Sequence, residues 1–272
     1  MVISTYRDEK FFMHYSEDGH PNASEFKMHA HEKLELYYFL SGSAYFMIEG
    51  NKYPLQRKDL LIMRQAEAHA LAITADEPYR RIAIHFPENA FDSFDPERKL
   101  LRPYYERPLG SGNRFEAALY PNAKWHKLIE QLDFSDDETA HFRTLAGLIG
   151  ILSELCEAFS GGLKPSGTEQ SFSAELVSYV NEHLFEEISL GSTAAAFYRS
   201  KSQISRTFRE ATGTPLWDYI LLKRLMAARA FLQSGESSER TCERCGFGDY
   251  SAFYRAYKAR FGCSPSADIR RG

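Results

Sequence analysis

The sequence predicts an α+β chain of more than one domain: a small N-terminal β-barrel or jelly roll, a helical connecting segment and an all-α C-terminal domain. Three observations predict it. Short β-branched and aromatic runs separated by turn residues fill the first 86 residues. From Pro87 the irregular stretches give way to long segments whose apolar positions recur at helical spacing. Residues 160–171, SGGLKPSGTEQS, have linker composition, and everything after them reads as helix. At 272 residues the chain can hold two cores. The expected division is a barrel over 1–95, a helical connecting and dimerisation segment over 96–160, a linker over 161–171 and the C-terminal domain over 172–272.

The barrel strands are expected at LELYYFLSG, SAYFMIEG, KYPLQ, DLLIM, HALAIT and YRRIAIHF, with Gly50-Asn51 as a tight hairpin turn. Two helices follow, NAKWHKLIEQLDF and ETAHFRTLAGLIGILSELCEAF. The second sets Phe142, Leu145, Leu148, Ile149, Leu152 and Leu155 on one stripe. That stripe is longer than capping one barrel requires, so helix 138–160 is expected to carry a homodimer contact through Leu148 and Leu152. Packing against its own barrel is the alternative.

Composition narrows the class. No apolar run approaches the roughly 20 residues that cross a bilayer, and MVISTYRDE lacks the layout of a signal peptide. Four cysteines in a chain this long do not suggest a disulfide framework. A cytoplasmic protein without membrane contact is expected. The net charge of −4 disfavours a polyanion partner, but the charges are unevenly placed. From Ser171 onward 14 Lys and Arg stand against 11 Asp and Glu, so the C-terminal third is mildly basic.

That third holds two similar units. The first, ISLGSTAAAFYRSKSQISRTFREATGTP, reads as a short helix, a turn and a second helix opened by Ser200, whose capping box closes on Gln203. Ile204 and Phe208 point to the core, while Lys201, Ser202, Ser205, Arg206 and Arg209 project outward. The second unit, SSERTCERCGFGDYSAFYRAYKARFGCSP, repeats the plan with its turn at Gly246. On its second helix Tyr250, Phe253, Tyr257 and Phe261 form an aromatic stripe, with Ser251, Arg255 and Lys258 opposite. Between the units lies one long helix, TPLWDYILLKRLMAARAFLQSG, with Thr214 as cap, Pro215 at its first position and Gly235 past its end. Cys242 and Cys245 lack the second pair a structural zinc site needs and read as core filling.

Two helix-turn-helix units on one long helix resemble the DNA-binding domain of the AraC/XylS transcription regulators. SKSQISRTFREATGTP, RLMAARAFL and GFGDYSAFYRAYKARFGCSPSADIR carry the likeness, which runs from Ile188 to Arg270. The resemblance implies base-facing roles for Lys201, Ser202, Ser205 and Arg206 in the first unit. In the second it implies them for Tyr250, Ser251, Tyr254 and Arg255, with Arg209 and Lys258 near phosphates. Arg206 and Arg255 are expected to be the main base readers. Each stands mid-helix, and the linking helix of roughly 28 Å is close to the ~34 Å of one duplex turn. Ser238, Thr241, Cys242 and Cys245 depart from the aliphatic and small residues usual in the short helix of the second unit. Tyr198 also replaces a small residue.

In the barrel, HAHEKLELYYFLSG sets His29, His31 and Glu35 ahead of Gly42, a spacing similar to the first cupin motif. His69 is placed as in the second, although Arg64 and Ala66 replace its usual Pro and Gly. On alternating strand positions His29 and His31 would face one barrel interior. The four residues are expected to line a small-molecule effector pocket without a resident cofactor, a sugar being one candidate. A transition metal bound by His29, His31, Glu35 and His69 is the alternative. His14, His85 and His126 show no partner pattern.

Together these readings predict a ligand-responsive, sequence-specific DNA-binding transcription regulator, not an enzyme. Its partners would be double-stranded promoter DNA, a small-molecule effector, a second copy of the chain and, for an activator, RNA polymerase. A cupin metalloenzyme, dioxygenase or sugar isomerase, with an accessory helical domain is the alternative. The paired recognition helices speak against it.

Overall fold

The computed structural model describes residues 2–21, 26–161 and 171–269. Among the described residues the strands β1 (Val2–Arg7), β2 (Phe12–Asp18), β3 (Leu34–Ser41), β4 (Ala44–Ile48), β5 (Asn51–Pro54), β6 (Leu60–Met63), β7 (His69–Ile73), β8 (Tyr79–Phe86) and β9 (Arg114–Phe115) form two antiparallel sheets. One has the order β1-β2-β8-β3-β6-β9 and the other β5-β4-β7.

Between the sheets Tyr37, Phe39, Phe46, Ile48, Leu61, Met63 and Leu71 make the barrel core. The outer face of the larger sheet is covered as well. Leu36, Tyr38, Ile62, Ile82 and Ile84 pack there against α2 (Lys124–Glu130) and α3 (Ala140–Ser160), through Trp125, Ile129, Leu148, Ile151, Leu152 and Leu155. Burial on both faces explains why β3 reads LELYYF without polar alternation.

Three expectations change here. β9 joins the sheet beyond residue 95, and α3 shares the core of the barrel, so 1–95 and 96–160 form one packed unit. Leu148 and Leu152 are fully buried in that core and cannot meet a second copy; the large apolar side chain of α3 that stands most in solvent is Phe142, which is 67% exposed. The hairpin turn is Glu49-Gly50, not Gly50-Asn51, with both residues at positive φ as a type I′ turn requires.

The C-terminal domain comprises α4 (Phe172–Glu182), α5 (Leu190–Ala196), α6 (Lys201–Thr212), α7 (Leu216–Gln233), α8 (Ser238–Arg244), α9 (Tyr250–Phe261) and α10 (Pro265–Ile269). The short α1 (Arg102–Tyr105) lies in the segment before α2. The capping box of Ser200 and Gln203 opens α6, as its spacing predicts. Asp249 caps α9 by accepting from the amides of Ser251 and Ala252. Pro215 is itself the N-cap of α7, one residue later than expected. The two halves of α7 serve different cores: Leu216, Tyr219 and Ile220 pack with Ile204 and Phe208 of the first unit, and Leu225, Ala228 and Leu232 with Phe253 and Tyr257 of the second.

Cys242 and Cys245 fill the second core, beside the buried Ser238 and Thr241. Arg224 ties the units together, donating to the carbonyls of Leu184, Glu186 and Gly246. Gly246 has φ 74°, and a Cβ there would come within 2.6 Å of the Phe185 carbonyl oxygen, so glycine is required at this turn. Among the described residues no helix is long and apolar enough to cross a membrane. Most of the expected linker, 162–170, lies outside the described residues.

Candidate functional site

The barrel interior holds a cavity of about 140 Å³, with His29, Glu35 and His69 in its lining. Strand alternation also turns Tyr79, Arg81, Ala83 and His85 of β8 into it, together with Tyr37 from β3 and His14 from β2. His31 reaches the cluster from the loop before β3, its ring centroid 5.2 Å from that of His69. His29 and His31 do not lie on a strand. His29 instead forms an isolated two-hydrogen-bond bridge with His69, N to O at 3.0 and 2.9 Å, which brings the two imidazoles to a centroid distance of 4.3 Å.

Glu35 is the hub. Its Oε2 lies 3.0 Å from His31 Nε2, 3.2 Å from His69 Nε2 and 3.5 Å from His85 Nε2. Burial acts to raise the Glu35 carboxyl, but His85, His31 and His69 outweigh it and hold the group well below the usual carboxylate range. Burial likewise disfavours a charged His69, and contact with Glu35 reverses that and raises its pKa. His14 is pushed down to about 4 by burial and then by Arg81 and His85, which outweigh the opposing pull of Glu35.

The structure therefore gathers His29, His31, Glu35 and His69, and adds His85 and His14, which the sequence reading treats as incidental. The signal for His85 was available in the period-two face of YRRIAIHF. His126 stands apart, bonded to Tyr38 on the helix-covered side. Among the described residues, His29, His31 and His69 bring nitrogens within 4.8 Å of one another, as do the ligand atoms of His31, Glu35 and His85. These are the residues that could hold a metal ion.

The second surface lies on α6 and α9. Lys201, Ser202, Ser205, Arg206 and Arg209 are all exposed along one side of α6, opposite the buried Ile204 and Phe208. On α9 Ser251, Arg255 and Lys258 are exposed and Tyr254 is half-buried. Tyr250 is 38% exposed, so the buried aromatic stripe is Phe253 and Tyr257, with Phe261 at its edge. Tyr198, in the turn before α6 at φ 52°, is 96% exposed.

A third feature was not legible in the sequence. The two domains meet through Glu49, whose φ of 47° is rare for a residue with a side chain. Its carboxylate accepts from the Ala68 amide at 2.6 Å, from Lys223 Nζ at 2.7 Å, from Asn181 Nδ2 at 2.8 Å and from the Tyr219 hydroxyl. Lys223 also donates to the Ala66 carbonyl at 2.7 Å. Nearby, Arg260 donates to the Ala30 carbonyl at 2.8 Å, and Arg229 pairs with Glu32 at 2.8 Å. Beneath this contact Glu67 and Arg107 form a bidentate pair at 2.6 and 2.7 Å, almost wholly buried.

Residues 12–140 match the family model of an AraC-like ligand-binding domain, and residues 193–271 that of a helix-turn-helix domain. The chain belongs to the AraC family of transcriptional regulators. As an AraC-family member it is a ligand-responsive, DNA-binding transcription regulator and not an enzyme. Its likeness to the HTH-type transcriptional activator RhaS of Klebsiella pneumoniae is 24% identity over 251 residues, spanning 92% of this chain and 89% of the relative. RhaS of Salmonella schwarzengrund is 33% identical over 99 residues, 36% of this chain and 35% of the relative. Apo ToxT from Vibrio cholerae aligns over 97% of this chain and 98% of its own, at 13% identity and a TM-score of 0.40.

Proposed function

We propose that a ligand in the barrel cavity controls the two helix-turn-helix units through the segments that hold the histidines. One observation carries this reading: the segments that present the pocket are the segments that touch the DNA-binding domain. Ala30 and Glu32 flank His31 and meet Arg260 and Arg229 of α9 and α7. Ala66, just before His69, accepts from Lys223 of α7, and Ala68 reaches the same lysine through Glu49. A ligand that draws His29, His31 and His69 together moves both contacts at once, without needing the 162–170 linker or α3 to relay the change. Energetically it can bias the domain arrangement only by its differential affinity for the two states.

In this reading Lys201, Ser202, Ser205 and Arg206 of α6, with Tyr250, Ser251, Tyr254 and Arg255 of α9, face bases, while Arg209 and Lys258 face phosphates. A cleft between barrel and DNA-binding domain lies on the other flank of α6, at Thr207, Glu210 and Ala211, and the proposed reading residues of α6 stay exposed while the domains are docked. The protein acts as an activator, as its RhaS relatives are named, and works as a homodimer on paired sites. The effector is a small polar molecule, a sugar among the candidates.

The test is selection from a random duplex pool with the full chain, followed by the same selection with Glu49→Ala. Two half-sites, each of two contact blocks about one helical turn apart, are expected. Glu49→Ala should keep the sequence and internal spacing of each half-site and relax the required spacing between the half-sites. Recovery of no common sequence would sink the DNA-reading assignment. An unchanged spacing requirement in the variant would sink the coupling route.

A further inference from the structure

We propose that the barrel cavity takes a small carboxylic acid as its anion, with the Arg81 guanidinium as the counter-charge. The inference rests on the reading of the barrel as the ligand-sensing module and names the chemical class of its ligand. The register of the larger sheet places the arginine. Arg81 of β8 stands between Ser16 of β2 and Phe39 of β3, and Ala83 between His14 and Tyr37. Directly paired residues share a face, so Arg81 turns into the barrel with them. The methyl group of Ala83 leaves open the space between Arg81 and His85, and all three residues line the cavity.

Arg81 brings a positive charge that the protein does not balance. Among the described residues no Asp or Glu pairs with it, whereas its outward neighbour Arg80 is paired with Glu17. The carboxylate in the cavity wall, Glu35, is already shared among His31, His69 and His85. The guanidinium lies instead 5.4 Å from the ring centroid of Phe26 and 5.2 Å from that of Tyr79, and it meets the Tyr79 hydroxyl. Ring faces hold a guanidinium in place but leave its N–H fork largely unused. A side chain that keeps its charge and has paired donors to spare is matched best by a carboxylate, which accepts two of them at once.

The neighbouring polar groups point the same way. The Tyr37 and Tyr79 hydroxyls are hydrogen-bonded to each other inside the barrel. That contact uses one O–H proton of the pair and leaves the other for an acceptor in the cavity. His14 and His85 also line the space, and each has a buried Nδ1 without a hydrogen-bond partner. An imidazole nitrogen donates or accepts according to its tautomer, so these two suit a hydroxyl or keto oxygen beside the carboxylate.

Size and charge narrow the ligand further. The cavity of about 140 Å³ equals the share of roughly five waters in the liquid. That is room for a short 2-hydroxy or 2-oxo acid and too little for a long acyl chain. A phosphate ester fits less well. Its second negative charge would lie near Glu35, and among the described residues no other Arg or Lys lines the cavity.

The experiment measures binding to the full chain by calorimetry, with lactate and pyruvate as probes and lactamide as the uncharged isostere of lactate. One molecule of either acid per chain is expected, with lactamide at least about tenfold weaker. Arg81→Gln should weaken the acids by about tenfold to a hundredfold, and Arg81→Lys should recover part of that loss. Arg80→Gln, on the outer face of the same strand, should leave binding unchanged. Thermal melts without ligand check the fold of each variant, and the comparison of lactate with lactamide needs no variant at all. Lactamide binding as tightly as lactate would overturn the assignment, as would full lactate affinity in Arg81→Gln. So would no binding of either acid, or tighter binding of inorganic phosphate or glucose. Duplex selection in saturating lactate separates this inference from the regulatory reading. Arg81-dependent lactate binding that leaves the selected spacing between half-sites unchanged supports the acid site and defeats the coupling. A glucose-dependent change of spacing without acid binding defeats the acid site alone.

Discussion

On α6 and α9 the side chains proposed to face DNA follow one another at helical spacing, and all but the half-buried Tyr254 stand in solvent. The proposed ligand pocket takes His14 from β2, Glu35 and Tyr37 from β3, His69 from β7, His85 from β8 and His31 from a loop, and closes them around a small cavity. The first surface is added to a helix whose fold depends on its other side. The second is part of the interior that holds the barrel together. Substitutions on the helices should therefore change binding and spare stability, whereas substitutions around the pocket should change both.

The largest effect should come where pocket and core coincide. Glu67 accepts the Arg64 and Gly110 amides and the Arg107 guanidinium, while its carbonyl fixes the His69 ring. Glu67→Ala leaves Arg107 buried without its counter-charge and should cost about 3–5 kcal/mol, read from urea unfolding of the full chain. A loss below about 1 kcal/mol would mean that the barrel tolerates an unpaired charge there, and the contrast between the two surfaces would fail.

Next, α3 separates core from contact. Leu148→Ala should cost about 2–5 kcal/mol, because Leu148 is fully buried against the outer face of the sheet. Phe142→Ser should cost within about 0.5 kcal/mol. If α3 pairs two copies, this exposed residue is the one whose loss lowers the mass measured by light scattering. An unchanged mass would move the dimer contact to another face.

The smallest and most local effect belongs to the reading helices. Arg206→Ala should lose about 1–3 kcal/mol of discrimination at one or two base positions, with no shift in melting temperature. Arg209→Ala should weaken all sequences alike and reduce the salt dependence by about one unit of slope. Titration against single-base variants at fixed salt distinguishes the two. Uniform loss for Arg206→Ala would place it on phosphate and break the comparison within α6 itself.

Much of the helical domain was legible because its signals are local. A capping box at Ser200, a run of core residues at 3.6 spacing and a glycine at each turn are decided within a dozen residues of chain. Even the unusual Cys242 and Cys245 were readable, since small residues in a short helix have few places to go but the core. The barrel was legible as strands and as a histidine pattern, but its site was only half visible. His85 carried a strand-alternation signal that went unused, and His29 and His31 lie on a bridge and a loop rather than on one strand. The turn at Glu49 was placed one residue late because Gly50 offers φ > 0 so readily that it hides the need for a second such residue beside it.

The sequence by itself determined that a strand-rich N-terminal part precedes an all-α C-terminal part, the order of strands β3 to β8, and which side of α6 faces water, because each follows from periodicity and capping over short stretches. Only the tertiary structure decided which face of α3 is core, which histidines surround Glu35, and that Glu49 reaches Asn181, Tyr219 and Lys223. Those contacts join residues more than 130 positions apart. At such separations no pattern along the chain distinguishes a buried, fully bonded carboxylate from one of the many that simply face water.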